Sequence, residues 1–271
     1  FLWMGFWMWL YKKPSENSYV SAAELEYINS DEDDGDKAKV IQANEGPKIS
    51  YLKAFSLRQT WALVLGRFLT DGVWWFFLFW TPSYLSDQFG YKTSDGMGMA
   101  LIFALYAIVT VVSIFGGYLP KLFVEQKGMH PYKGRMLAML IFAFFPLFAL
   151  FAQPMGQYSA WWPAIIIGLA GAGHQAWSAN LFSTVGDMFP KSAIATITGI
   201  GGMAGGISSF IINLSAGRLF DYSESMGAAF TFLGFEGKEA GYMIVFCICA
   251  VAYLIAWTIM KALVPEYKKI G

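Results

Sequence analysis

The sequence predicts an all-α integral membrane protein in which six spanning helices follow a polar linker. Three observations carry that prediction. The 271-residue chain is 56% hydrophobic and 18% aromatic but only 14% charged, against about 25% charged residues in a soluble domain. Six apolar segments, at about 58–86, 97–124, 133–154, 159–187, 192–219 and 240–264, each hold enough residues to cross a bilayer, which takes roughly 20. Lysine and arginine concentrate at alternate ends of those segments, as they do in multi-spanning proteins.

Taken in order, the opening FLWMGFWMWLY is about half the length of a span, so residues 1–11 are expected to form the end of a preceding transmembrane helix. Residues 12–57 turn polar and read as a solvated linker. Within it Ser21 and Glu24 have the spacing of a capping box at the start of a short helix. The acidic run 31-DEDDGDK-37 lacks the distal glutamate of a calcium loop and is expected to be solvated. Residues 58–271 then form a six-helix lobe.

Basic residues mark one side of that lobe: Lys53 and Arg58, then Lys121, Lys127, Lys133 and Arg135, then Lys191, then Lys261, Lys268 and Lys269. The opposite connections hold Lys92, Arg218 and Lys238 among Asp87, Asp95, Asp221, Glu224, Glu236 and Glu239. The linker and C-terminus are therefore expected to be cytoplasmic. A formal net charge of zero offers nothing to nucleic acid, and no phosphate-binding or dinucleotide fingerprint appears. Cys247 and Cys249, two apart on a helix, point to different sides and read as filler.

Three spans carry polar groups that cost free energy in hydrocarbon unless partnered. In the first, Arg67 and Asp71 are four apart and share a helix side. They either lock that helix against its neighbours, or Asp71 exchanges its partner or a proton during a conformational cycle. Trp74 and Trp75 follow one turn later at mid-span, where they either pack or stack on the ring of a bound substrate. In the fourth span His174, Trp177 and Ser178 fall on one helical stripe with Leu181, and Gln175 and Asn180 lie beside it. This stripe is expected to line a wet cavity. Gly171 and Gly173 just before it permit either close packing or a bend. In the fifth span Gly201 and Gly205, and Gly202 and Gly206, form two overlapping small-residue pairs, which predicts close helix approach on a broad face. Ser209 and Asn213 follow on that helix, with Asn213 a candidate for hydroxyl recognition. No catalytic constellation, metal-ligand cluster or phosphate loop stands out, so neither a catalytic residue nor a metal or cofactor is expected. Hydrogen-bonding groups beside aromatic platforms suit the holding of a polyhydroxylated molecule.

The runs 71-DGVWWFFLFWTPSYL-85, 174-HQAWSANLFSTVGDMFPKSAIAT-196 and 199-GIGGMAGG-206 resemble the hexuronate transporter group of the anion:cation symporter family, within the major facilitator superfamily. The resemblance covers essentially the whole chain as helices seven to twelve and the end of helix six. It implies the C-terminal lobe of a twelve-helix transporter of the inner (plasma) membrane that takes up glucuronate or galacturonate with a proton by alternating access. It implies further that Asp187, Pro190 and Lys191 belong to an inner gate, and that an N-terminal six-helix lobe completes the carrier and supplies much of the carboxylate and proton handling. Pro120 and Lys121 stand where superfamily members often place an acidic residue, so that part of the gating charge network does not transfer. Another small organic anion, such as an aldonate or dicarboxylate, is the alternative substrate. A membrane enzyme acting on lipid-linked sugars, with His174 as base, would need a second titrating group within hydrogen-bond reach, and a sensor would need an output domain in the linker.

Overall fold

A computed structural model describes residues 2–29, 49–268 and 270. The chain divides into two units, Phe1–Pro47 and Lys48–Gly271. In the first, helix α1 (Leu2–Leu10) and a 3-10 turn at Pro14–Glu16 precede α2 (Ala22–Asn29). The capping box forms at α2: the Glu24 amide donates to Ser21 Oγ at 3.2 Å, and the Ser21 amide donates to the Glu24 carboxylate at 3.4 Å. The acidic run 31-DEDDGDK-37 lies outside the described residues.

The second unit is a helical bundle. A short helix α3 (Tyr51–Phe55) leads into α4 (Arg58–Phe89), α5 (Gly96–Lys127), α6 (Pro131–Ala143), α7 (Ala152–Gly156), α8 (Trp161–Met188), α9 (Lys191–Met226) and α10 (Gly237–Leu263). Their ends follow local chemistry. Gly90 and Gly128 terminate α4 and α5 with φ of 72° and 61°, a left-handed conformation in which glycine meets no Cβ penalty. Pro131 starts α6 at a position whose amide has no helical partner anyway, and the His130 ring caps it by accepting from the Tyr132 amide.

The third apolar segment is one candidate span, as expected, but its α-helix is interrupted. After Ala143 the chain runs through a 3-10 stretch, Phe145–Phe151, before resuming as α7. Pro146 lacks an N–H, and its ring disfavours a helical residue before it. Among the described residues, five stretches are long and apolar enough to cross a membrane: Arg58–Phe89, Gly96–Lys127, Pro131–Gly156, Lys191–Ala229 and Gly237–Leu263. Helix α8 matches them in length at 28 residues, but its amides, imidazole and hydroxyls lower its hydropathy. Most of its surface is covered by protein instead, since it packs on α4, α5, α6 and the 3-10 stretch.

Helix α4 lies against α9 and α10, and α5 lies against α8. Lipid tails are as apolar as leucine, so such contacts depend on close packing rather than on expulsion of water. Small residues supply it. Gly116 on α5 meets the Ala176 backbone on α8, and Gly201 on α9 meets Leu63 and the Arg67 stem on α4. Gly205 meets the Asp71 side chain. Positions 202 and 206 face open space, so one small-residue pair makes the close approach expected of both. Gly173 packs on Phe145 and Gly171 between Val109 and Trp74, while α8 continues unbroken. Their role is therefore packing.

Toward the C-terminal end of α4, Phe76, Tyr84, Phe220, Tyr242 and Phe246 are buried in one aromatic cluster with ring centroids 4.2–6.4 Å apart. The hairpin β1 (Thr231–Phe232) and β2 (Phe235–Glu236) joins α9 to α10 at this end. Beside it Lys238 bridges Asp87 at 3.0 Å and Glu224 at 3.1 Å, and the Tyr242 hydroxyl donates to Asp87 at 2.8 Å. Three helices are thereby tied at the hairpin end.

Candidate functional site

Around mid-span, α4 and α8 bring their polar residues to one seam. Arg67 Nε donates to Asp71 Oδ2 at 2.8 Å, and a terminal guanidinium nitrogen donates to the same oxygen. Both side chains are largely enclosed, at 16% and 8% exposure. At such depth each ion depends on its partner, because an unpaired charge there would be far from water. The guanidinium also stands 4.5 Å over the Phe182 ring of α8, which adds a cation–π contact.

One turn along α4, the Trp74 indole lies parallel to the His174 imidazole, with centroids 5.1 Å apart and planes 5° apart. The Tyr253 hydroxyl of α10 sits 2.7 Å from His174 Nδ1 and 3.1 Å from the Thr70 carbonyl oxygen. Three helices therefore meet on one imidazole. Helix geometry sends Trp75 elsewhere, and it stacks on Phe79.

The stripe on α8 separates into two environments. His174, Trp177 and Asn180 are buried, whereas Gln175 and Ser178 are half-buried and make no side-chain hydrogen bond among the described residues. Asn180 donates to the carbonyls of Gly116 and Ala176, both at 2.8 Å, and so fastens α8 to α5. Trp177 packs edge-on against Tyr253, and its Nε1 is sealed without a partner among the described residues. The polar stripe thus has a structural back, toward Tyr253 and α5, and an open front at Gln175 and Ser178.

Asn213 lies in a separate hollow of about 550 Å³ between α4 and α9, lined by Phe79, Trp80, Ser83, Ser209, Phe210 and Leu214. It accepts from Trp80 Nε1 at 2.9 Å and donates to the Ser209 carbonyl at 2.8 Å. At the tail end, Asp187 pairs with Arg135 at 2.8 Å, Pro190 stands immediately before the first residue of α9, and Lys191 is exposed on its first turn. The C-terminal segment closes over this corner, with the Tyr267 hydroxyl donating to the Asp187 carbonyl and the Ile270 amide to the Met188 carbonyl. Among the described residues no group of His, Cys, Asp and Glu could hold a metal.

Sequence reasoning missed Tyr253, Thr70 and Trp80. A hydroxyl and an indole N–H inside spans were the available signal, since both seek partners in an apolar medium.

Bundled spans with hydrogen-bonding side chains at mid-depth define a multi-pass membrane protein. A family model described as Major Facilitator Superfamily matches residues 1–212, and the chain belongs to that superfamily. It is 26% identical over 269 residues to the hexuronate transporter of Escherichia coli strain K12, covering 96% of this chain and 55% of that protein. It is 31% identical over 122 residues to the galacturonate transporter of Dickeya chrysanthemi, covering 45% and 33%. It is 23% identical over 241 residues to the probable galactarate/D-glucarate transporter of Escherichia coli strain K12, covering 86% and 52%. The chain spans about half the length of the curated relatives it matches. All three are named as transporters, none as an enzyme.

Proposed function

We propose that the complete protein is a secondary transporter that takes up a hexuronate, such as glucuronate or galacturonate, together with a proton. Residues 58–271 form its C-terminal six-helix lobe. Alternating access then needs a second lobe, with the substrate bound between the two near the bilayer midplane. The observation that carries this reading is the seam in which Arg67, Asp71, Trp74 and His174 meet beside the open hydrogen-bonding groups of Gln175 and Ser178. It combines an aromatic face with donors and acceptors, as a polyhydroxylated acid requires.

The distribution of Lys and Arg supports a cytoplasmic tail end in a plasma membrane. In that orientation Asp187, Pro190 and Lys191 act at the inner gate. The Arg135–Asp187 pair holds the end of α8 against α6 there. Asp71 is the candidate for proton exchange, since its bond to Arg67 can be given up when a proton replaces the guanidinium. Asn213 and Trp80 offer a further hydroxyl-binding hollow.

Uptake of labelled glucuronate, galacturonate, galactarate and galactonate by the complete protein, with and without an uncoupler, tests the reading. The two uronates should accumulate, and the uncoupler should abolish accumulation. Preference for galactarate would favour the second reading, a dicarboxylate sugar acid, which the galactarate/D-glucarate relative supports. Uptake of none of them would overturn both.

A further inference from the structure

Tyr253 is fully buried, yet its hydroxyl has two neighbours: the Thr70 carbonyl oxygen at 3.1 Å and His174 Nδ1 at 2.7 Å. A phenol has one hydrogen, and a carbonyl can only accept. Both contacts are satisfied in one arrangement, with Tyr253 donating to Thr70 and the Nδ1–H of His174 donating to the Tyr253 oxygen. A neutral imidazole protonated at Nδ1 carries its lone pair at Nε2. Nε2 has no hydrogen-bond partner among the described residues. His174 keeps 5% of its surface exposed, and Nε2 is the ring nitrogen left free to accept. The Trp74 indole, parallel to the ring, restricts its rotation.

We propose that Tyr253 is a positioning residue that fixes His174 as a hydrogen-bond acceptor at Nε2, so that this wall receives a hydroxyl of the substrate. A hydroxyl donates to such a nitrogen. A carboxylate, which has only lone pairs to offer, is turned away from it. The helix that contributes Tyr253 thus acts on specificity through the imidazole and need not touch the substrate. This inference rests on the reading of the protein as a sugar-acid carrier.

The test has two arms, both on the complete protein. Nitrogen-15 spectra of histidine-labelled protein in mildly alkaline buffer, assigned with a His174→Gln variant, should show Nδ1 protonated and Nε2 bare. A proton on Nε2 in the unsubstituted protein would overturn the proposal. Tyr253→Phe should move or average those signals, and should raise the KM for glucuronate about fivefold to tenfold with the maximal rate nearly unchanged, as loss of one oriented hydrogen bond predicts. A monodeoxy glucuronate that competes poorly with unsubstituted carrier should lose most of that handicap in Tyr253→Phe. An unchanged KM and unchanged deoxy discrimination would overturn the positioning role. Failure of the unsubstituted protein to take up any uronate would overturn the substrate reading and the hydroxyl assignment with it, while the spectrum reports the tautomer independently. Should Tyr253→Phe not fold, the unsubstituted spectrum still decides whether Nε2 can accept.

Discussion

Gly205 faces the carboxylate of Asp71 so closely that even a methyl group would collide with it. The ion pair of α4 is therefore roofed by bare backbone of α9, and the helix approach and the charge pair depend on each other. Gly205→Ala should force one of them to give, at a cost of about 1–3 kcal/mol typical of overpacking. Gly206→Ala, one residue on, faces open space in this lobe and should leave its stability nearly unchanged. Thermal unfolding of the two purified variants checks the contrast, and equal effects would show that the contact is not tight.

The Arg67–Asp71 pair gives a second expectation. Removing either charge leaves the other enclosed without its partner, which typically costs about 3–5 kcal/mol in a dry interior; the 16% exposure of Arg67 reduces that figure. Arg67→Gln and Asp71→Asn should each lower the yield of folded protein, and the double variant should recover much of it. If Asp71 carries the proton, Asp71→Asn should also flatten the pH dependence of uptake. Recovery in the double variant with an unaltered pH dependence would confine the pair to a locking role.

Much of this was legible from the chain, and what was not has a common cause. Length and apolar content marked every long helix, because burying backbone in lipid leaves few alternatives to helix. The capping box at Ser21 and Glu24 was legible because its geometry is local. The interruption at Pro146 was obscured by the unbroken apolar composition around it, although the proline itself was the signal. Helical spacing placed His174, Trp177 and Ser178 on one stripe, but it could not say which neighbour would cover which part. Tyr253 lies 79 residues from His174, and Gly116 lies 64 from Asn180. Such partners follow from the order of helices in the bundle, which no local period encodes.

At the tail end, Asp187 joins α8 to α6 through Arg135, with the two side chains 17% and 29% exposed. A charge-assisted pair at this partial burial should couple by about 1 kcal/mol. A double-mutant cycle with Arg135→Gln and Asp187→Asn, read by thermal unfolding, should return that value. If the corner belongs to an inner gate, the same single variants should slow uptake of glucuronate more than they lower stability. Uptake that falls only in proportion to folded protein would count against the gate.

The opposite end supplies a ranking. Lys238 bridges Asp87 and Glu224, but the two acids differ in what else they hold. The Asp87 side chain is 29% exposed and also accepts from Tyr242, whereas that of Glu224 is 62% exposed and belongs to the class of solvent-screened pairs that contribute almost nothing. Asp87→Asn weakens the bond from Lys238 and the bond from the buried Tyr242 hydroxyl, so it should cost about 1–2 kcal/mol. Glu224→Gln should be nearly neutral. Lys238→Met should fall between them, because Tyr242 still satisfies Asp87 while the charge pair is gone. Melting temperatures of the three variants in one detergent, compared at low and high salt, check both the order and its origin: the Lys238 effect should shrink with salt. The Tyr242 part of the Asp87 effect should persist, since a buried hydroxyl is little screened. An order with Glu224 first would mean that the exposed bridge, and not the bond into the aromatic cluster, ties the helices at this end.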